Sequence, residues 1–272
     1  MNELALFAGA GGGILGGHLL GWRTVCAVEW EPYAASVLAA RQNDGLLPPF
    51  PTWDDVRTFD GKPWRGRVDV VSGGFPCQDI SVAGKGAGIT GERSGMWSHM
   101  ARIVGEVRPR FVFVENSPAL LTRGLGVVLG DLAALGYDCR WTVLGAADVG
   151  APHQRDRFWL VAHADQQLGD QGRPSDAAQG PGGWDADRGS KRAGEVADSM
   201  CERLQGQQQA WTTPRSTHRP QCGGDSGWWI TEPDVGRVAD GVAARVDRLR
   251  AIGNGQVPAC AAEAWRLLME AA

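Results

Sequence analysis

Nowhere among the 272 residues is there an apolar run of about 18 or more, so no segment reads as a membrane-spanning helix. The amino-terminal stretch MNELALFAGAGGG lacks the basic flank and cleavage site of a secretory leader, and the expectation is a soluble, intracellular protein. The six cysteines (26, 77, 139, 201, 222 and 260) form no CxxC pair and stand at no zinc-ligand spacing from histidine. That pattern signals neither a disulfide framework nor a metal site, and it suits a reducing compartment. A basic excess is missing too: the net charge of -4 does not suggest a nucleic-acid binder. The total hides a distribution, however. Residues 61–160 carry 12 basic against 9 acidic side chains, while residues 1–60 carry 3 against 7 and residues 161–236 carry 7 against 11. Any polyanion would therefore have to be met locally, in the segment that holds Cys77.

What is present is a hydrophobic content of 43%, enough to build a sizeable core. Six short apolar runs recur in the first 163 residues: Leu4–Phe7, Val25–Val28, Val68–Val71, Phe111–Val114, Trp141–Leu144 and Phe158–Val161. Between them, Gly16–Leu20, Tyr33–Arg41, Ser98–Val107 and Val127–Leu135 read as helices. Strands of that length separated by helical spans predict βαβ units around a buried, mostly parallel sheet. From about Ala164 to residue 236 the chain is rich in Gln, Gly, Asp and Trp and poor in aliphatic residues, too poor for a large core of its own. Helical patterns return over Val235–Leu249 and Ala259–Met269. The expected class is α/β, a Rossmann-like sheet with helices on both faces, divided into residues 1–163, an irregular region 164–236 and carboxyl-terminal helices 237–272.

After the first run comes a glycine-rich turn, Phe7-Ala8-Gly9-Ala10-Gly11-Gly12-Gly13, and Glu29 follows 20 residues after Gly9. Such a turn lets a ligand approach the backbone at a helix N-terminus, and the carboxylate can accept hydrogen bonds from a ribose. The pattern is shared by nicotinamide-dependent enzymes and by plain structural turns. Trp30 is equally open, either to stacking on an adenine or to a place in the core. Val68–Val71 leads into Gly74-Phe75-Pro76-Cys77, which puts a thiol at the carboxyl end of a strand, where ligands of such sheets sit. Glu115 ends another run, and alternation along the strand after Pro152 predicts Arg155 and Arg157 on one face. A nucleophile, a carboxylate and two guanidinium groups thus converge from separate segments.

With these blocks in order, LFAGAGGG (6–13), EW (29–30), DV (55–56), GFPCQDIS (74–81), RSGMW (93–97), FVENS (113–117), QRDR (154–157) and GNGQVP (253–258), the chain resembles the C5-cytosine DNA methyltransferase family of compact bacterial or phage type. The resemblance implies the class I S-adenosylmethionine-dependent methyltransferase fold. It implies transfer of a methyl group from S-adenosyl-L-methionine, leaving S-adenosyl-L-homocysteine, to C5 of a cytosine flipped out of duplex DNA. Cys77 would attack C6, Glu115 would engage N3, and Arg155 and Arg157 would hold the O2 side. The cofactor would lie against Phe7, Gly9, Gly11, Gly12, Glu29, Trp30, Asp55, Val56, Gly74, Pro76 and Asn254. Gln78, Ser81, Lys85 and Arg93 would meet DNA from a glycine-rich loop, and 164–236 would be the target recognition region. No metal is implied. The resemblance further suggests a monomer in the cytoplasm of a bacterial cell or phage-infected host, with or without a cognate restriction endonuclease. The alternatives are methylation of RNA cytosine, a DNA-binding relative without activity and, from the glycine turn alone, a nicotinamide-dependent oxidoreductase. The chain departs from the family at Ala5, where an acidic residue is frequent, at Ser117, where valine is, and at His153, where glutamine is; none of the three removes a group the chemistry needs.

Overall fold

The computed structural model describes residues 1–76, 95–164 and 245–270. Cys77, Gln78, Ser81, Lys85, Arg93 and the region 165–236 lie outside the described residues. Among the described residues, seven strands form one sheet: β1 (Asn2–Leu6), β2 (Arg23–Val28), β3 (Thr52–Trp53), β4 (Val70–Gly73), β5 (Phe111–Asn116), β6 (Tyr137–Leu144) and β7 (Arg157–Ala164), in the order β3-β2-β1-β4-β5-β7-β6. All neighbours are parallel except β7, which runs antiparallel to both β5 and β6.

The connections dictate this arrangement. A parallel return needs a crossover, and α1 (Gly12–Leu19), α2 (Pro32–Asn43), α3 (Gly95–Val107) and α5 (Leu125–Ala134), the last preceded by the single turn α4 (Leu120–Arg123), supply it. Between β6 and β7 there are only 12 residues and one 3₁₀ turn at Ala146–Val149, so the two strands pair antiparallel. Strand order reverses at β1, with β2 and β3 to one side and β4 onward to the other. Ligands of such sheets bind outside the carboxyl ends of the strands at this switch point.

Alternation along the strands splits the core in two. Leu4, Leu6, Val71, Val112, Val114 and Leu160 face α3 and α5, where Trp97, Met100, Ile103, Val104 and Val107 recur at helical spacing. On the opposite face, Val70, Phe111, Phe113 and Trp159 pack against the last helix, α7 (Pro258–Glu270). Trp265 of that helix meets Phe111, Phe113 and Trp22 edge-on, with ring centroids 5.3, 5.5 and 4.6 Å away. Helices α1 and α7 approach closely because Gly16 has no side chain; a Cβ there would stand 2.7 Å from that of Ala261.

Three readings change. The edge strand β3 has no apolar run of its own and was invisible to pattern. The helix before the last one, α6 (Arg245–Asn254), continues past Leu249 into Gly253-Asn254. Arg155 precedes β7, which starts at Arg157, so strand alternation does not place the two arginines on one face.

Candidate active site

The turn after β1 is held in backbone conformations that few residues adopt. Phe7 has φ 52°, Gly9 has 56° and Gly11 has 91°. At the two glycines this is free of steric cost, whereas a bulky aromatic at positive φ is strained, a condition that collects at functional sites. Glu29, just past β2, ties the turn down. Its Oε2 accepts from the Gly9 amide at 2.6 Å and its Oε1 from the Glu31 amide at 2.7 Å. Burial pushes its carboxyl above the usual range. Each oxygen keeps a lone pair for a further donor.

Trp30 is 63% exposed, which rules out the core reading. The Arg57 guanidinium lies 5.1 Å from its ring centroid and reaches Asp55, with Nη2 2.8 Å from Oδ2. That hydrogen bond holds the Asp55 carboxyl below its ordinary range. Val56 is buried, and its carbonyl accepts from Arg102 Nη2 at 2.9 Å.

Across the switch point, β4 delivers Gly74-Phe75-Pro76. Phe75 is buried against Trp97, with ring centroids 5.3 Å apart. Its carbonyl accepts from Asn116 Nδ2 at 3.1 Å, and Asn116 is itself 2% exposed. The backbone entering Cys77 is thereby fixed two residues upstream. At the end of β5, Glu115 Oε1 stands 3.0 Å from Arg157 Nε. Burial raises the Glu115 carboxyl to about 6, with Arg157 and then Arg155 pulling against the rise. A carboxyl so poised exchanges a proton near neutral pH.

Arg155 is engaged by a different segment of the chain from Arg157. Its Nη2 donates to the carbonyls of Ile252, Gly253 and Gly255, at 3.2, 2.6 and 2.7 Å. It is a clamp on the GNGQ loop, and Arg157 alone of the pair meets Glu115 in a salt bridge. That loop brings Asn254 and Gln256 beside Phe7, Gly9, Gly74 and Glu115 around one cavity. Gly11 and Gly12 stand at the mouth of α1, and Pro76 is exposed on the rim. Sequence reasoning missed Asn116 and Gln256. Both lie inside quoted motifs, yet their partners are 41 and 141 residues away and only the folded chain reveals them.

A profile of the C-5 cytosine-specific DNA methylase family matches residues 1–179. The chain belongs to that family. It is 34% identical over 163 residues to the type II methyltransferase M.CviJI of Paramecium bursaria Chlorella virus IL3A, covering 59% of this chain and 42% of that protein. To the type II methyltransferase M.NgoBI of Neisseria gonorrhoeae it is 34% identical over 168 residues, covering 60% and 51%. The matched part thus spans about half the length of these methylases or less. Among solved structures, an Entamoeba histolytica methyltransferase superposes with TM-score 0.52 at 17% identity, over 61% of this chain and 53% of that one. Spodoptera frugiperda DNMT2 superposes with TM-score 0.50 at 19% identity, over 64% and 53%. The methylase family and the methyltransferase fold expected from the motifs are therefore found.

Proposed function

We propose that the protein is a DNA (cytosine-5)-methyltransferase that uses S-adenosyl-L-methionine. The observation that carries this reading is the meeting, around one cavity, of the Glu115–Arg157 pair with the strained glycine turn and with Gly74 of the loop that leads into Cys77.

The residues at the turn suit the cofactor. The side of Gly9 where a Cβ would stand is open, Glu29 has spare acceptor capacity for ribose hydroxyls, and Trp30, linked to Asp55 through Arg57, presents an exposed indole for an adenine, with Asp55 and Val56 assigned to the same end of the cofactor. Phe7, Gly11, Gly12, Gly74, Pro76 and Asn254 complete the surround. When bound, S-adenosylmethionine supplies the electrophilic methyl group.

Cytosine C5 is a poor nucleophile until the ring is reduced in aromatic character. The Cys77 thiolate forms a bond to C6, and the displaced electron pair is accommodated as Glu115 gives its proton to N3. Arg157, fixed against Glu115, faces the charge that develops toward O2. After methylation the C5 proton leaves, the S–C6 bond breaks and N3 returns its proton to Glu115. Arg155 is assigned a supporting role through the loop it clamps. Gln78, Ser81, Lys85 and Arg93 are assigned to DNA, and 164–236 to reading the sequence around the target.

Tritium transfer from labelled S-adenosylmethionine to unmethylated duplex DNA, with tRNA in parallel, tests the assignment. Transfer to DNA alone is expected, and transfer confined to tRNA makes the enzyme an RNA methyltransferase. Cys77→Ser is expected to abolish transfer while calorimetry still detects cofactor binding. Retained turnover would sink the nucleophile assignment.

A further inference from the structure

Gln256 occupies a cradle made by the absence of three side chains. Its backbone carbonyl fills the place where a Cβ of Gly12 would stand, and its side-chain Oε1 lies 2.5 Å from that of Gly13. Its Nε2 is 3.1 Å from the corresponding point on Gly74, where Glu115 Oε2 is 2.5 Å away. Two of these glycines open α1 and one belongs to the loop leading to Cys77. From this seat Nε2 faces Glu115 Oε2 at 3.5 Å, while Arg157 Nε holds Oε1 at 3.0 Å. The carboxyl plane is thus gripped by donors from two distant segments.

We propose that Gln256 is a positioning residue for Glu115, and that Arg155 serves the reaction through the loop that carries Gln256; this rests on Glu115 being the acid of the proposed function. An arginine on Oε1 disfavours a proton there, which leaves Oε2 as the acidic oxygen. An amide suits that oxygen in both of its states. Its N–H₂ donates to the ionised form, and its carbonyl, after rotation, accepts from the protonated one. A leucine of similar size can do neither. Residues 255–257 have no regular structure of their own, and the three carbonyl bonds from Arg155 restrain the path into them. Among the described residues, the charged groups facing Glu115 are Arg157 at the start of β7 and Arg155 before it; Asp156 between them is turned to Gly145, close to where a Cβ would stand.

The test uses full-length Gln256→Leu, Gln256→Glu, Arg155→Ala and the Gln256→Leu/Arg155→Ala double variant. The rate of tritium transfer to unmethylated duplex DNA at saturating cofactor is followed across pH, alongside calorimetric cofactor affinity. On the plateau below the upper limb, where Glu115 is protonated in every form, Gln256→Leu is expected to lower the rate about tenfold, the cost of one lost part-buried hydrogen bond, with cofactor affinity kept. Losing a donor to the ionised form moves the upper limb of the pH profile to higher pH. Gln256→Glu, nearly isosteric, moves it further by charge repulsion, and it serves as the measurement if the leucine variant fails to fold. Arg155→Ala shifts the limb in the same direction, and the double variant is no worse than the poorer single one. An unmoved limb in Gln256→Glu, or multiplicative losses in the double variant, would overturn the proposal. Glu115→Gln separates the two levels. Methyl transfer retained by that variant removes Glu115 as the acid, whereas its loss together with an unmoved limb in Gln256→Glu removes only Gln256.

Discussion

Glu3 is a carboxyl group at 1% exposure, and it shares a strand face with Ala5. Its Oε1 accepts from the Ser72 hydroxyl at 2.6 Å and its Oε2 from the Thr24 hydroxyl at 2.7 Å, so it stitches β1 to β2 and β4 below the glycine turn. Burial raises its carboxyl to about 7 against those two bonds. The folded chain therefore keeps a proton that the unfolded chain releases, and the associated stability is full below about 4.5 and lost as pH rises through about 7. The size of that loss is on the order of 3 kcal/mol. Glu3→Gln should remove most of this slope: urea midpoints of the variant and the parent should diverge between mildly acidic and alkaline buffer, and parallel curves would refute the buried neutral carboxyl. Asn116→Ala should lower turnover about tenfold by freeing the Phe75 carbonyl, with cofactor affinity kept in calorimetry; an unchanged rate would mean the Cys77 loop needs no such anchor. At this scale the sequence was legible where chemistry concentrates in a motif, as with Glu115 and Arg157. It was not legible where a motif residue works through a distant partner. The motif shows Arg155 two positions before Arg157 but does not show that its Nη2 donates to carbonyls about 100 residues away.

Among the elements, the carboxyl-terminal helix α7 closes the sheet face that α1 only partly covers. Trp265 is 7% exposed and anchors it among three aromatic rings. Trp265→Ala should destabilise the protein by about 3–5 kcal/mol, read as a lowered urea midpoint; a change below about 1 kcal/mol would mean the helix contributes little to the fold. Because α7 follows directly on the GNGQ loop, its loosening should also weaken the site. Strands with continuous apolar runs were legible from the sequence, since burial on both faces demands them. The two-residue edge strand β3 was not, because its residues are exposed and its existence depends on pairing with Ala27 and Val28. The direction of β7 was not legible from periodicity either. It follows from the shortness of the connection to β6.

For the whole molecule, the reversal of strand order at β1 gathers segments from both ends of the chain at one rim. The glycine turn lies near the start, Glu115 and Arg157 in the middle and Asn254 and Gln256 near the end. Local patterns predict the sheet, but the seating of Gln256 against Gly12 and Gly13 is a consequence of tertiary packing. This rim is proposed to methylate cytosine C5 in duplex DNA. The most direct measurement is to express the chain in a host without cytosine methylation and to sequence its bisulfite-treated DNA, with the Cys77→Ser variant beside it. Cytosines protected from conversion at one recurrent sequence are expected with the parent chain and none with the variant. Complete conversion with a folded, cofactor-binding parent chain, or equal protection with both, would contradict the proposal.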